Sequence, residues 1–160
     1  MNKITIIYGP EDVRSGKSRL AKDLTTDLKT VWFTARHRKF LENPFWTDPI
    51  EKDTEVIVFD DVIASNIKGI REVMSYECIT VNKQSKAPFT INIPDIIITI
   101  GCDKSDLRPI ENLLSIHHIN RFKTIHLETI DDYYRESDSL VFNMKPKLIL
   151  TTNYALNEND

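Results

Sequence analysis

The sequence predicts an α/β fold of three layers, with a mainly parallel central sheet and an inserted β-hairpin. Three observations carry that expectation. Short runs rich in β-branched residues, "KITIIY" (3–8), "KTVWFT" (29–34), "TEVIVF" (54–59), "DIIITIG" (95–101) and "FKTIHLE" (122–128), are mostly apolar on both faces, as strands inside a parallel sheet are. Helically spaced apolar residues lie between them, and strand alternating with helix is the layered α/β pattern. A polar segment, "YECITVNKQSKAPFTINI" (76–93), reads as two short strands around a tip, which is a hairpin.

Taken in order, the first strand leads through "YGPEDVRSGKS" (8–18) into a helix with Leu20, Ala21, Leu24 and Leu28 on one face. The second strand is followed by "HRKFLENPFWTDPIEK" (37–52), where Pro44 and Pro49 predict loop or irregular helix. Ile67, Ile70 and Met74 mark a helix after the third strand, and Ile110, Leu113, Leu114 and His117 mark another after the fourth. Beyond Glu128, "IDDYYRESD" and "KPKLILTTN" predict one more helix or turn and a last strand.

At 160 residues, 41% hydrophobic and 28% charged, the chain is expected to be a single domain over 1–160. A formal charge of -3 gives no overall attraction to nucleic acid, so any such surface must be local. The only cysteines, Cys78 and Cys102, are far apart and make neither a disulfide framework nor a zinc motif. No run approaches the about 18 apolar residues of a membrane span. A cytoplasmic protein with no membrane partner is expected.

The chemistry begins at Gly9. A strand, a glycine-bearing turn and a helix opening with Gly-Lys-Ser is the context of a Walker A loop, which makes the predicted layers a P-loop NTPase fold. Backbone N–H groups of the loop and of the helix N-terminus would face phosphates, Lys17 would reach the terminal ones, and the Ser18 hydroxyl would hold Mg2+. Gly9, Arg14, Ser15, Gly16, Lys17 and Ser18 are therefore the expected nucleotide contacts. The motif asks for four residues between its glycines, whereas "PEDVRS" supplies six. Glu11 and Asp12 are expected to point outward, away from phosphate.

"EVIVFDD" (55–61) supplies the second motif, an apolar strand ending in two carboxylates. In a Walker B strand one carboxylate, here Asp60, holds Mg2+ through water, and its neighbour, here Asp61, polarises the attacking water. The ordinary alternative is that an aspartate caps the next helix.

Together, "SGKSRLAKDL", "NPFW" before "TEVIVFDD", the hairpin "ITVNKQSKAPFTINIPDIIIT" and "NRFKTIHLE" resemble the superfamily 3 helicases, and more loosely AAA+ ATPases, over residues 3–128. The resemblance implies ATP and Mg2+ as ligands, with Ser18 and Asp60 on the metal and Asp61 catalytic. It implies Lys83 and Lys86 on a hairpin touching single-stranded nucleic acid. Arg121 falls where such proteins carry an arginine finger that completes a neighbouring subunit's site, which brings in a homo-oligomer. The strand after the hairpin should end in a polar sensor. Gly101 stands at that position here, with Thr99 the nearest polar residue and Asn153 of "LILTTN" the alternative.

The four histidines show no metal-ligand spacing. "RHRK" (36–39), beside Phe40, Phe45 and Trp46, reads either as a nucleic-acid contact or as a solvated loop with its aromatics packed inward. The expected function is Mg2+-dependent ATP hydrolysis acting on nucleic acid or a replication partner. The alternatives are a binding module without turnover and a small P-loop kinase.

Overall fold

The computed structural model describes residues 3–11, 14–37, 40–103, 107, 112 and 122–140. Five strands, β1 (Ile4–Gly9), β2 (Thr30–Thr34), β3 (Val56–Val62), β6 (Asp95–Gly101) and β7 (Phe122–His126), form one sheet in the order β2-β3-β6-β1-β7. Every pairing in it is parallel. The remaining two strands, β4 (Cys78–Val81) and β5 (Phe89–Asn92), pair antiparallel as the expected hairpin, in a sheet of their own.

Side chains alternate across the sheet and divide the core in two. Ile57 and Phe59 of β3 and Ile96, Ile98 and Ile100 of β6 face one side. There they pack against Ile67, Ile70 and Met74 of α2 (Ala64–Ser75) and Ile79 and Val81 of the hairpin. Val56, Val58, Ile97 and Ile125 face the other side, against Leu20 and Ala21 of α1 (Lys17–Leu24) and Tyr133. Tyr133 belongs to a helical segment over 130–140. Strands covered on both faces explain why their sequences are apolar throughout rather than alternating.

Residues 40–52 are irregular, as their prolines predict, with a 3-10 turn at Phe40–Glu42. Phe40 and Trp46 pack with Phe33 and Phe59 into one aromatic group, which settles their side of the "RHRK" question in favour of inward packing. Phe45 stays exposed. The expected helix around 110–117, the last strand, Arg121 and Asn153 lie outside the described residues.

The site follows from the strand order. The five strands of the larger sheet run the same way, so their carboxyl ends share one edge. At β1 the order turns, with β6, β3 and β2 on one side and β7 on the other. Such a turn opens a crevice beyond the carboxyl ends, where open parallel sheets bind ligands. Backbone bonds continue the ladders past the strands into this edge: Cys102 N–H donates to the Gly9 carbonyl (2.8 Å), Leu127 N–H to Tyr8 (2.8 Å) and Ala35 N–H to Asp60 (2.7 Å).

Candidate functional site

At the end of β1 the chain must pass close under its neighbours. A Cβ on Gly9 would lie 1.9 Å from the Leu127 carbonyl oxygen, so no other residue fits. Gly16, the N-cap of α1, has φ +86°, and a Cβ there would also meet Tyr133 at 2.8 Å. Tyr133 is held in place by donating its hydroxyl to Asp23 (2.6 Å), which raises the phenol above its ordinary range. The Arg19 guanidinium lies 4.7 Å from the centre of its ring.

The α1 N-terminus carries no side-chain cap and no acidic residue in its first turn. Its orphan N–H groups and dipole are thus left open to an anion. Immediately before it, Ser15 is 1% exposed, and its Oγ is the one buried side-chain polar atom without a partner among the described residues. Buried polar groups are normally satisfied, so this hydroxyl points to a ligand. Lys17 Nζ donates to the Pro10 carbonyl at 3.0 Å, inside the same turn. Burial pulls the Lys17 ammonium below its ordinary range, while Asp61, Cys102, Glu11 and Asp60 partly hold it up. An orphan hydroxyl, an uncapped helix start and a partly desolvated cation together fit a phosphate group.

The residues expected on the metal side meet across three elements. Ser18 Oγ donates to Asp60 Oδ1 (2.8 Å), and Thr99 Oγ1 donates to the same oxygen (2.6 Å). Asp61 N–H in turn donates to Thr99 Oγ1 (2.7 Å). The register explains this arrangement. Phe59 pairs with Ile98, but the next pairing is Val62 with Ile100, so both aspartates stand opposite Thr99 alone. That is a β-bulge, a device that re-aims a side chain. Asp61 takes φ +56° within it, a conformation uncommon for a non-glycine residue. The helix-cap alternative falls, because α2 starts at an N-cap of Ile63 and has no side-chain cap.

The two departures from the motif turn out to be one structural event. A Cβ on Gly101 would lie 2.9 Å from Glu11 Cα, so the longer loop lies where a sensor side chain would begin. Glu11 is exposed but turned toward Arg36 beside Asp61 rather than clear of the site: Arg36 Nη2 stands 3.9 Å from Glu11 Oε1, and Nη1 stands 3.3 Å from Asp61 Oδ2, while Asp12 lies outside the described residues. Sequence reading had Arg36 only within "RHRK"; nothing local to it signals a carboxylate partner 25 residues away in Asp61. Thr99 is 1% exposed and serves both aspartates, a bridging place rather than a free sensor.

Arg14 is exposed on the loop. The expected basic tip of the hairpin is altered: the Lys83 ammonium donates to Glu51 (2.9 Å) and to the Asp48 carbonyl, with its side chain only 9% exposed. Lys86 remains exposed. Among the described residues no group of His, Cys, Asp and Glu forms a metal cage, and no helix is long and apolar enough to cross a membrane.

Among solved structures, the chain resembles a JCV helicase determined with a thiazolopyridine acetamide bound. That match has TM-score 0.53 and 19% identity, over 93% of this chain and 42% of that one. It also resembles the NrS-1 C-terminal region in an apo form, with TM-score 0.50 and 16% identity, over 85% of this chain and 34% of the other. The fold is thus helicase-like, a P-loop-like three-layer α/β arrangement. The chain spans only about a third to two-fifths of those proteins' lengths. No family model and no curated protein matches it.

Proposed function

We propose that the chain binds ATP with Mg2+ at the β1–α1 loop and hydrolyses it, as a helicase-like ATPase. The observation that supports this most is the convergence of Ser18 and Thr99 on one oxygen of Asp60, with Asp61 re-aimed by the bulge beside them. In this reading the α1 N-terminus, Ser15 and Lys17 hold the phosphates, and Ser18 and Asp60 would hold the metal. The metal would supply neutralisation of phosphate charge. Asp61 orients a water for in-line attack and takes its proton as the water oxygen bonds to the terminal phosphorus and the β–γ bridge breaks. Catalysis comes mainly from positioning and charge. Work on single-stranded nucleic acid belongs to the same proposal, with Lys86 as its exposed hairpin cation.

Ligand binding to the native state stabilises it by about 2.7 kcal/mol at a hundred times Kd. Mg2+ and ATP should therefore raise the melting temperature, and Lys17→Met should abolish that rise. The same variant should melt slightly higher than wild type without nucleotide. The sign follows from the lowered pKa: the folded state holds the lysine proton less readily, so at neutral pH the buried charge costs stability that methionine does not. Asp61→Asn should keep the nucleotide-induced shift and lose hydrolysis by about a hundredfold or more. No shift in wild type at millimolar Mg2+ and ATP would remove the reading. A second reading, binding without turnover, is favoured by Glu11 lying where a sensor side chain would start; a shift accompanied by no hydrolysis, even with single-stranded DNA present, would select it.

A further inference from the structure

Arg36 follows β2, the strand at the far edge of the sheet from β7, yet its guanidinium reaches Asp61 at the end of β3 and Glu11 of the β1–α1 loop. The same two carboxylates also act on the Lys17 ammonium, partly offsetting the burial that lowers it. One pair of carboxylates is therefore shared by two cations, Arg36 and Lys17. The pairing of Arg36 is weak by construction. The side chains of Arg36, Glu11 and Asp61 are 64%, 65% and 43% exposed, and exposed ion pairs contribute little and exchange readily.

A terminal phosphate brought in by Lys17 would enter beside Asp61. It offers the planar donor fork of the guanidinium more acceptor oxygens and more charge than either carboxylate does, and arginine matches phosphate bidentately. We propose that Arg36 is a catalytic arginine supplied by the same chain: it leaves Glu11 and Asp61 for the terminal phosphate oxygens and neutralises the charge that builds there as the water attacks. This rests on the ATP-hydrolysis reading above. It replaces the need for an arginine from a neighbouring subunit, and it frees the Asp61 carboxylate for the water at the moment phosphate arrives. The longer loop gains a purpose too, because Glu11 gives the guanidinium a resting partner in the absence of nucleotide.

The test separates this residue from the site it serves. ADP with aluminium fluoride and Mg2+ mimics the transferring phosphoryl group, and its stabilisation of the fold is read by melting. Wild type should gain more from ADP with aluminium fluoride than from ADP alone. In Arg36→Gln that extra gain should vanish while the shift with ADP alone stays within that of wild type, and hydrolysis should fall by at least about a hundredfold. Arg36→Lys should recover only a minor part, since an ammonium lacks the fork. A mixture of Arg36→Gln with Lys17→Met chains should remain inactive, because each site needs both residues from one chain. Equal gain and equal turnover in wild type and Arg36→Gln would overturn the proposal, as would faster turnover, which would make Arg36 a brake on Asp61. Activity recovered in the mixture would overturn its action within one chain. Absence of any shift with ADP or ATP in wild type would sink the ATPase reading, and Arg36 with it. A wild-type shift retained in full by Arg36→Gln, aluminium fluoride included, sinks Arg36 alone.

Discussion

Thr99 shows how a single buried hydroxyl holds two neighbouring acids in different ways. Its Oγ1 gives its proton to Asp60 and takes one from the Asp61 backbone, so it holds one carboxylate by its side chain and the other by its main chain. Thr99→Val keeps shape and volume but removes both bonds, leaving the Asp61 N–H of the bulge unpaired. Leaving such a group unsatisfied costs about 1–3 kcal/mol. The variant should therefore unfold at lower denaturant, and any ATP turnover should fall more than ATP affinity, because Asp61 loses its anchor. Thr99→Ser should keep both properties, and a Thr99→Val chain with wild-type stability would show that the bridge contributes nothing. Asp60 and Asp61 were legible in the sequence as the charged end of an apolar run. The bridge was not, because it depends on the β3–β6 register and on a bulge that places two residues opposite one. Neither leaves a local pattern in "VFDDV" or "IITIG". Arg36 was hidden for the same reason: its partners come from a loop and a strand that only the sheet brings beside it.

At the scale of the element, the strands, the hairpin and the helices over Lys17–Leu24 and Ala64–Ser75 follow from periodicity. Their neighbours do not, since a parallel pairing joins residues such as Ile4 and Ile96 with nothing in either run to select the other. The phosphate loop is the element where this matters most. Its two extra residues and the glycine at 101 looked like separate losses, but the loop packs over Gly101 so closely that a Cβ would lie 2.9 Å from the Glu11 Cα. Each change should thus be harmful alone and tolerated with the other. Gly101→Asn should push the loop aside and reduce the melting shift produced by Mg2+ and ATP. Deleting Glu11 and Asp12 should reduce it also, by leaving the end of β6 uncovered. The combined variant, with four residues between the glycines and a polar side chain at 101, should recover much of the shift. Residues in contact show coupling of about 0.5–3 kcal/mol in such cycles. Strictly additive losses would mean that the loop length and Gly101 are independent.

For the whole molecule, the central question is whether the two cores behave as one. The proposed phosphate site is mounted on the α1 face, with Leu20, Ala21 and Tyr133, while the larger core on the opposite face holds α2, the hairpin and the aromatic group. Among the described residues the sheet lies between them, and its strands contribute side chains to both. Ile97 belongs to one core and its neighbours Ile96 and Ile98 to the other. Unfolding either face would strip one side of every central strand, so the two should melt together as a small single domain does. The chain carries its own probes. Its two tryptophans lie on opposite faces, Trp32 against the α1 core and Trp46 against the α2 core. Trp32→Phe leaves fluorescence reporting the α2 face, and Trp46→Phe leaves it reporting the α1 face. Because each substitution shifts stability by itself, each variant's fluorescence transition in urea is compared with its own circular-dichroism transition, which follows the whole backbone. The two should coincide in both variants. Mg2+ with ATP should then move the midpoint reported by Trp46 even though no phosphate contact lies on its face, because a ligand that binds only the folded chain stabilises everything that unfolds with its site. A Trp32 transition that shifts with nucleotide while the Trp46 transition stays still would show the α1 face acting as an independent unit, and would count against a single cooperative domain.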